Sequence, residues 1–248
     1  MDMTSTLGKL YLIPITLGDD TPPEEVLPQS VKRAIELIDI YIVENEKTAR
    51  RFIKAICPTK VQADLILFPL NKHTEVSSHY QYIQPLLEGK NVGVMSEAGC
   101  PGVADPGAVI VKIAHEKNIG VVPLVGPSSI LLSLMASGMN GQSFAFNGYL
   151  PIDKSEKKAA LKNLEKISSD RDQSQLFIET PYRNNQIIEE MISALHPQTQ
   201  LCIACDITLP TEYIKTKSIA EWKKHSVDLH KRPCIFIIHK KSLSGIKS

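Results

Sequence analysis

The stretch from Ser96 to Gly107 holds Gly99, Gly102 and Gly107 together with Pro101 and Pro106. Glycine lets a backbone approach a partner closely and adopt unusual dihedrals, while proline stiffens the chain around it. A stiff loop that exposes backbone N–H and C=O groups suits a polar, zwitterionic small molecule. The same composition also suits a plain strand-to-helix connector, and composition alone does not choose between them. A second segment, Leu124 to Ile130, places Pro127 where a first helical turn accepts proline, with Gly126 or a neighbour as cap. Free N–H groups at such a helix start, with the Ser128 and Ser129 hydroxyls, suit a carboxylate or a ribose hydroxyl. A simple capped helix is the other reading.

Side chains able to take a proton from an alcohol nucleophile are Glu44, His73, Glu75, Glu97, Asp105 and Glu179. Each also fits a structural role, and Asp105, just before Pro106, fits a brace for its own loop. No catalytic residue is assigned from sequence. Arg50 and Arg51, with Lys47 and Lys54, form a basic helical stripe, and Arg183 follows a strand. Such cations can contact phosphate, although a solvated helix face explains Lys47 and Lys54 equally well. Lys154, Lys157 and Lys158 read as part of a mobile substrate-side loop. Aromatic residues make up only 6% of the chain, so extended single-strand binding on stacking platforms is not indicated. Cys202 and Cys205 have the C-x-x-C spacing but no second ligand pair, so they read as buried strand thiols and no metal site is expected.

Strands alternate with helical periods through the first half. Strands are expected at Lys9–Ile15, Ile40–Glu44, Leu65–Leu70, Asn91–Ser96 and Gly120–Val125. Helices are expected at Ser30–Ile38 with Ser30 as cap, Glu46–Ile56, Glu75–Leu87 and Gly107–Lys117. The alternation predicts βαβ units and a mainly parallel sheet. In the second half, helices are expected at Ser128–Ser137, Ser155–Ile167 and Asn185–Leu195. Strands there are expected at Ser143–Leu150, Gln175–Thr180, Gln200–Thr208, Glu212–Thr216 and Pro233–His239. Short links between the last strands predict an antiparallel portion and a mixed sheet. The reading is α/β, with two α/β domains over 1–123 and 124–248.

The 248 residues are 43% apolar, enough to bury a sizeable core. A net charge of +1 excludes a wholly basic coat protein while leaving room for a local phosphate-binding patch. Five cysteines and no evident secretory leader predict reduced thiols in a cytoplasm. No charged residue occurs between Lys117 and Asp153, but Pro123, Gly126, Pro127 and three serines interrupt that run, so no membrane span is predicted.

Taken together, these segments resemble the tetrapyrrole methylase superfamily, and within it the branch that methylates cytidine 2′-oxygens of small-subunit ribosomal RNA. That branch carries serine-aspartate-alanine-glycine-threonine-proline-glycine ending in aspartate-proline-glycine; here Glu97 replaces the aspartate and Cys100 the threonine. Its proline-glycine-proline-serine turn is matched by Val125 to Ser128, and its glycine-phenylalanine-leucine-proline by Gly148 to Pro151. Its glutamate-serine-proline-histidine-arginine is matched by Glu179 to Arg183. Glu44 to Arg51 resembles its glutamate-aspartate-threonine-arginine segment, with Asn45 for the aspartate, and His73 to Glu75 its histidine-asparagine-glutamate. The departures are the long proline-rich stretch Thr21–Pro28 after Ile13–Asp20, and Cys205 to Leu209, where two basic residues of the branch are absent.

The resemblance implies S-adenosylmethionine in a cleft between the two domains, S-adenosylhomocysteine as product, no metal, no membrane and a homodimer. Cofactor-binding positions carried over are Pro14, Ala98, Gly99, Cys100, Val103, Ala104, Ser128, Ser129, Ile178, Ala204 and Pro233. Substrate-binding positions are Arg50, Arg51, Glu179 and Arg183. The implied activity is ribose 2′-O-methylation of small-subunit ribosomal RNA in the cytoplasm. The departures keep two other readings open: a methyltransferase for a small molecule such as a tetrapyrrole, and a non-catalytic S-adenosylmethionine-binding protein.

Overall fold

Short apolar runs separated by helical segments build the first sheet, and the parallel pairing predicted from that alternation is what forms. The computed structural model describes residues 7–71 and 74–241. Strands β1 (Lys9–Leu12), β2 (Ile40–Val43), β3 (Ile66–Pro69), β4 (Val92–Met95) and β5 (Gly120–Pro123) lie in the order β3-β2-β4-β1-β5, every pair parallel. All residues of β2 and β4 are buried, as expected of a parallel sheet covered on both faces.

Helices α1 (Pro23–Val26) and α2 (Gln29–Leu37) follow β1, and α3 (Glu46–Ile56) follows β2. Val31, Ile35, Phe52 and Ile53 from these helices pack on Tyr41 and Val43. Helices α4 (Val76–Tyr82), α5 (Gln84–Leu87) and α6 (Ala108–Glu116) form the opposite layer, where Leu86, Ile110 and Ile113 pack on Ile40, Ile42 and Val94. Alternate residues of β2 therefore serve opposite layers, as the period of two requires. Three details differ from expectation. The predicted single helix over 75–87 is split at Ile83, because Pro85 in the first turn of α5 lacks an N–H and cannot continue α4. Ser30 is not a cap: α2 starts at Gln29 after Pro28, without a side-chain cap. The proline-rich stretch forms α1, with Pro23 at its first position.

The chain divides into two compact units, one ending at Ser128 and one starting at Ser129. The edge lies later than position 123 because the Leu124 N–H donates to the Leu12 carbonyl at 3.1 Å, which extends the β1–β5 pairing.

The second unit contains α7 (Ser129–Ser137), β6 (Phe144–Tyr149), α8 (Lys154–Arg171), β7 (Ser174–Ile178), α9 (Asn184–Ala194), β8 (Gln200–Cys205), β9 (Tyr213–Ser218), α10 (Ile219–Trp222) and β10 (Cys234–His239). Its sheet runs β6-β7-β10-β8-β9, with β6–β7 parallel and the other three pairs antiparallel, the predicted mixed sheet. Helices α8 to α10 cover one face through Leu161, Leu164, Ile187, Met191 and Trp222, against Phe177, Ile203 and Phe236. Helix α7 packs against β8, β9 and β10.

Lys154, Lys157 and Lys158 do not form a loop. They lie in the first turns of α8, whose N-cap Asp153 accepts from the Ser155 and Glu156 N–H groups at 2.9 Å. Lys157 faces inward, with its side chain only 2% exposed, and its Nζ lies 3.4 Å from Glu179 Oε2 and 3.2 Å from Glu190 Oε2. Removing one partner of a buried charge group strands the others in a poorly solvating interior. Lys157→Met is therefore expected to lower unfolding free energy by about 3–5 kcal/mol in urea titrations; a wild-type midpoint would show that the ammonium is not paired in solution.

Candidate functional site

Three loops leave the C-terminal ends of β1, β4 and β5: 13–18, 96–107 and 124–128. The Ile13 N–H donates to Val94 O at 2.9 Å and the Ile15 N–H to Gly99 O at 3.0 Å, joining the first two loops. The Cys100 thiol donates to Pro127 O at 3.3 Å, with Gly126 O at 3.7 Å, joining the second to the third. Gly126 closes the set, since a Cβ built on it would stand 2.2 Å from Pro14 Cβ. Only glycine permits that approach.

Within the long loop, Asp105 is the brace expected of it. Its carboxylate accepts from the Gly102 N–H at 2.9 Å and the Gly107 N–H at 2.6 Å. Gly99, Gly102 and Ala104 take positive φ values of 70°, 84° and 61°, so the backbone is folded tightly around that carboxylate. A Cβ on Gly102 would meet nothing within 4 Å, so the loop opens there onto free space. Ala98, Val103 and Ala104 are exposed, whereas Pro14 and Gly99 are buried beneath them. Helices following β1 and β2 cover one face of the sheet and the helix following β4 covers the other. The loops therefore diverge at β4, the position where open α/β sheets form a ligand crevice. A crevice is present there, lined by Glu44, Ser96, Asp105 and Gly107.

Electrostatics separate the six expected proton acceptors. Glu44 ends β2 at this crevice. Burial, then the Glu97 charge, push its carboxyl above the ordinary 4.5; the Glu97 N–H opposes them, and Asp105 adds to the rise. Asp105 is occupied by two backbone donors, and Glu97 is exposed. Glu75 precedes α4, and His73 lies outside the described residues. Burial and the nearby Asp105 push the Cys100 thiol up as well, so it stays protonated and acts as a donor.

Among the expected second-unit positions, Ile178 and Ala204 share one row of the sheet, both opposite Ile235. Pro233 is exposed at the entry to β10. Ser129 opens α7, two residues after Pro127, so Pro127 precedes the helix instead of occupying its first turn.

Glu179 lies just after β7, largely out of solvent. It is 5% exposed, and its oxygens accept from the Thr180 N–H at 2.7 Å and from Arg183 Nε and Nη2 at 3.0 and 2.6 Å, with Lys157 behind. Burial alone would raise its pKa, but these donors and charges outweigh it and hold the carboxyl below the usual range. Glu179 thus positions Arg183, whose side chain remains 33% exposed. Arg50 is occupied by Gln62 O at 2.7 Å, and the exposed Arg51 pairs with Asp19 in the loop after β1 at 2.7 Å.

Sequence reasoning missed Lys157 and Glu190 as the support for Glu179. The signal was available: Lys157, Leu161, Leu164 and Ser168 form one buried helical stripe. It also missed Arg232, whose Nε donates to Asp206 Oδ2 at 2.8 Å and Nη2 to Thr211 O at 2.6 Å, beside Cys205. Cys202 and Cys205 are buried on opposite faces of β8, so they cannot act as a pair. Among the described residues no group of three or more His, Cys, Asp or Glu side chains could hold a metal ion. None of the described helices is long and apolar enough to cross a membrane.

Residues 9–223 match the family described as Tetrapyrrole (Corrin/Porphyrin) Methylases. The chain belongs to this family. Membership makes it a methyltransferase, as the motif order implied. Ribosomal RNA small subunit methyltransferase I of Bacillus subtilis (strain 168) is 32% identical to this methylase over 219 residues, 88% of this chain and 70% of that protein. The protein of the same name from Buchnera aphidicola subsp. Schizaphis graminum (strain Sg) is 29% identical over 244 residues, 96% of this chain and 80% of its own. Among solved structures, the methyltransferase CobJ is similar with a TM-score of 0.64 at 16% identity, covering 94% of each chain. Uroporphyrin-III C-methyl transferase from Thermus thermophilus, complexed with S-adenyl homocysteine, gives 0.56 at 15% identity, covering 94% of this chain and 98% of that one. These two likenesses show the shared fold.

The Cys100 thiol supplies a side-chain donor to the Pro127 carbonyl. Cys100→Val keeps the volume and removes that donor, and is expected to cost this methylase about 1 kcal/mol in thermal or urea unfolding. Cys100→Thr retains a donor and should stay near wild type. Equal losses in both variants would show that packing at position 100, not the hydrogen bond, holds the loops together.

Proposed function

We propose that the chain methylates a ribose 2′-oxygen of small-subunit ribosomal RNA, with S-adenosylmethionine as donor and S-adenosylhomocysteine as product. The observation that carries the cofactor half is the set of three loops fastened together around Gly99, Cys100 and Gly126 at the C-terminal ends of β1, β4 and β5. The acceptor half rests on the relatives named as small-subunit ribosomal RNA methyltransferases across most of the chain.

The donor, when bound, supplies a methyl group on a sulfonium, open to in-line displacement by an oxygen nucleophile. The residues of the chain bind, orient and deprotonate. Backbone groups of Pro14, Ala98, Gly99, Val103, Ala104 and Ser128 hold the cofactor. Glu44 accepts the ribose hydroxyl proton, since it is the carboxylate in the crevice whose proton affinity is raised. Arg183 and the exposed Arg51 contact phosphates. The protein acts in the cytoplasm as a homodimer, for which exposed Leu131 and Met135 on α7 supply an apolar face.

A small-molecule acceptor is the second reading, and it rests on the missing basic residues at Cys205 and Leu209. Arg232 weakens it by bringing a guanidinium beside Cys205 from elsewhere in the chain.

Deleting the gene is expected to remove one ribose 2′-O-methylation from small-subunit ribosomal RNA, read by mass spectrometry of its nucleosides and fragments. An unchanged methylation pattern would overturn the RNA reading. For the proton acceptor, only ionised Glu44 is competent, so kcat should fall as pH drops through its raised value. Glu44→Gln should lower kcat about 10²–10⁴-fold and abolish that pH limb, with S-adenosylmethionine affinity by calorimetry unchanged. A variant with the wild-type pH profile would assign the proton to another group.

A further inference from the structure

Two segments meet at one end of the second sheet. The turn Pro181–Arg183 follows β7, and the turn 228–233 precedes β10; Ile178 and Ile235, just inside them, are direct partners. The Lys231 N–H donates to Pro181 O at 3.0 Å. Asn185 accepts from the Leu229 N–H at 2.8 Å, and the Asn184 amide donates to Arg232 O at 2.6 Å. Both turns are therefore fixed to each other and to the start of α9.

On this rigid base stands Tyr182, 70% exposed although it is a large aromatic ring. Lys231 Nζ lies 5.9 Å from the ring centroid, and His230 meets the ring edge-on at 6.1 Å. Arg183 and Arg232 flank the pair, with side chains 33% and 28% exposed. Their carboxylate partners lie beneath them, because Glu179 and Asp206 are 5% and 6% exposed. The exposed carboxylate nearby, Asp228, is occupied by the Asn185 amide and the His230 N–H. Cations and an aromatic face thus point outward, Glu179 and Asp206 lie inward, and Asp228 is held by an amide and a backbone N–H. That combination suits a nucleic acid strand, with a π-face for a base and cations for the flanking phosphates.

We propose that Tyr182, Lys231 and Arg183 form a one-nucleotide platform for RNA, with an unpaired base stacked on the Tyr182 ring and adjacent phosphates on Lys231 and Arg183. The inference rests on the RNA-methylation reading above. It also fits the low aromatic content, since it requires one exposed ring, not a row of them.

The test is binding of the full-length protein to small-subunit ribosomal RNA transcribed in vitro, across a salt series, with methyl transfer to the same RNA assayed in parallel. Tyr182→Ala is expected to weaken binding roughly 5- to 100-fold, the usual effect of losing one stacked base. Tyr182→Phe keeps the ring and should stay close to wild type. Lys231→Gln should lower the magnitude of the log–log salt slope by about 0.7, one single-strand phosphate contact. Lys166→Gln, an exposed lysine on α8, should change neither. Wild-type affinity and slope in folded Tyr182→Ala and Lys231→Gln would overturn the platform. If Tyr182→Ala does not fold, an unchanged slope in Lys231→Gln overturns it alone. If the wild-type protein neither binds nor methylates this RNA, the functional reading fails, and the platform with it. A protein that methylates the RNA while the platform variants behave as wild type fails the platform only.

Discussion

There is no space for a single methyl group between Pro14 and Gly126, and the first unit is arranged around that approach. It requires β1 and β5 to be neighbours, so that their C-terminal loops arrive side by side. It requires the loop after β4 to lie across them, which the Ile15–Gly99 bridge and the Cys100 thiol achieve. That loop can lie there only because Asp105 gathers the amides of Gly102 and Gly107 from within. Backbone groups line the result, which explains how Cys100 can stand where the branch has threonine. A thiol kept protonated by burial still supplies one donor proton.

The second unit depends on a different kind of constraint. Four ionisable side chains, Lys157, Glu179, Arg183 and Glu190, share one site, and only the arginine reaches solvent appreciably. A buried carboxylate costs heavily unless it is paired and hydrogen-bonded, and Glu179 is both. The outcome is an arginine whose direction is set from behind, on a turn that also carries the exposed Tyr182. Arg232 repeats the arrangement with Asp206 beneath it.

Much of this was legible before the structure. Alternating apolar runs gave the strand order its parallel and mixed character, whereas the caps Asn45 and Asp153 were not singled out in the sequence. The loop 96–107 was recognisable from its glycines and prolines. What was not legible shares one physical reason: it depends on distance across the fold. Lysine is ordinarily a surface residue, so a triplet of lysines read as a solvated loop until helical phase turned one of them inward. Glu179 and Arg183 looked alike as motif residues, although one is buried support and the other its solvent-facing product. Arg232 occupies the neighbourhood of the absent basic residues from the turn before β10, and no local pattern announces that.

The shared burial of Lys157, Glu179 and Glu190 also restricts how such a sequence drifts. Replacing any one of the three leaves charge stranded in the interior, whereas replacing all of them with apolar residues of similar volume is nearly neutral for the fold. Neutral variation at these sites must therefore arrive in concert, through intermediates that are less stable than either endpoint. Arg183 keeps its outward aim only while Glu179 keeps its support, so three interior positions far apart in the chain act on the fold as one unit.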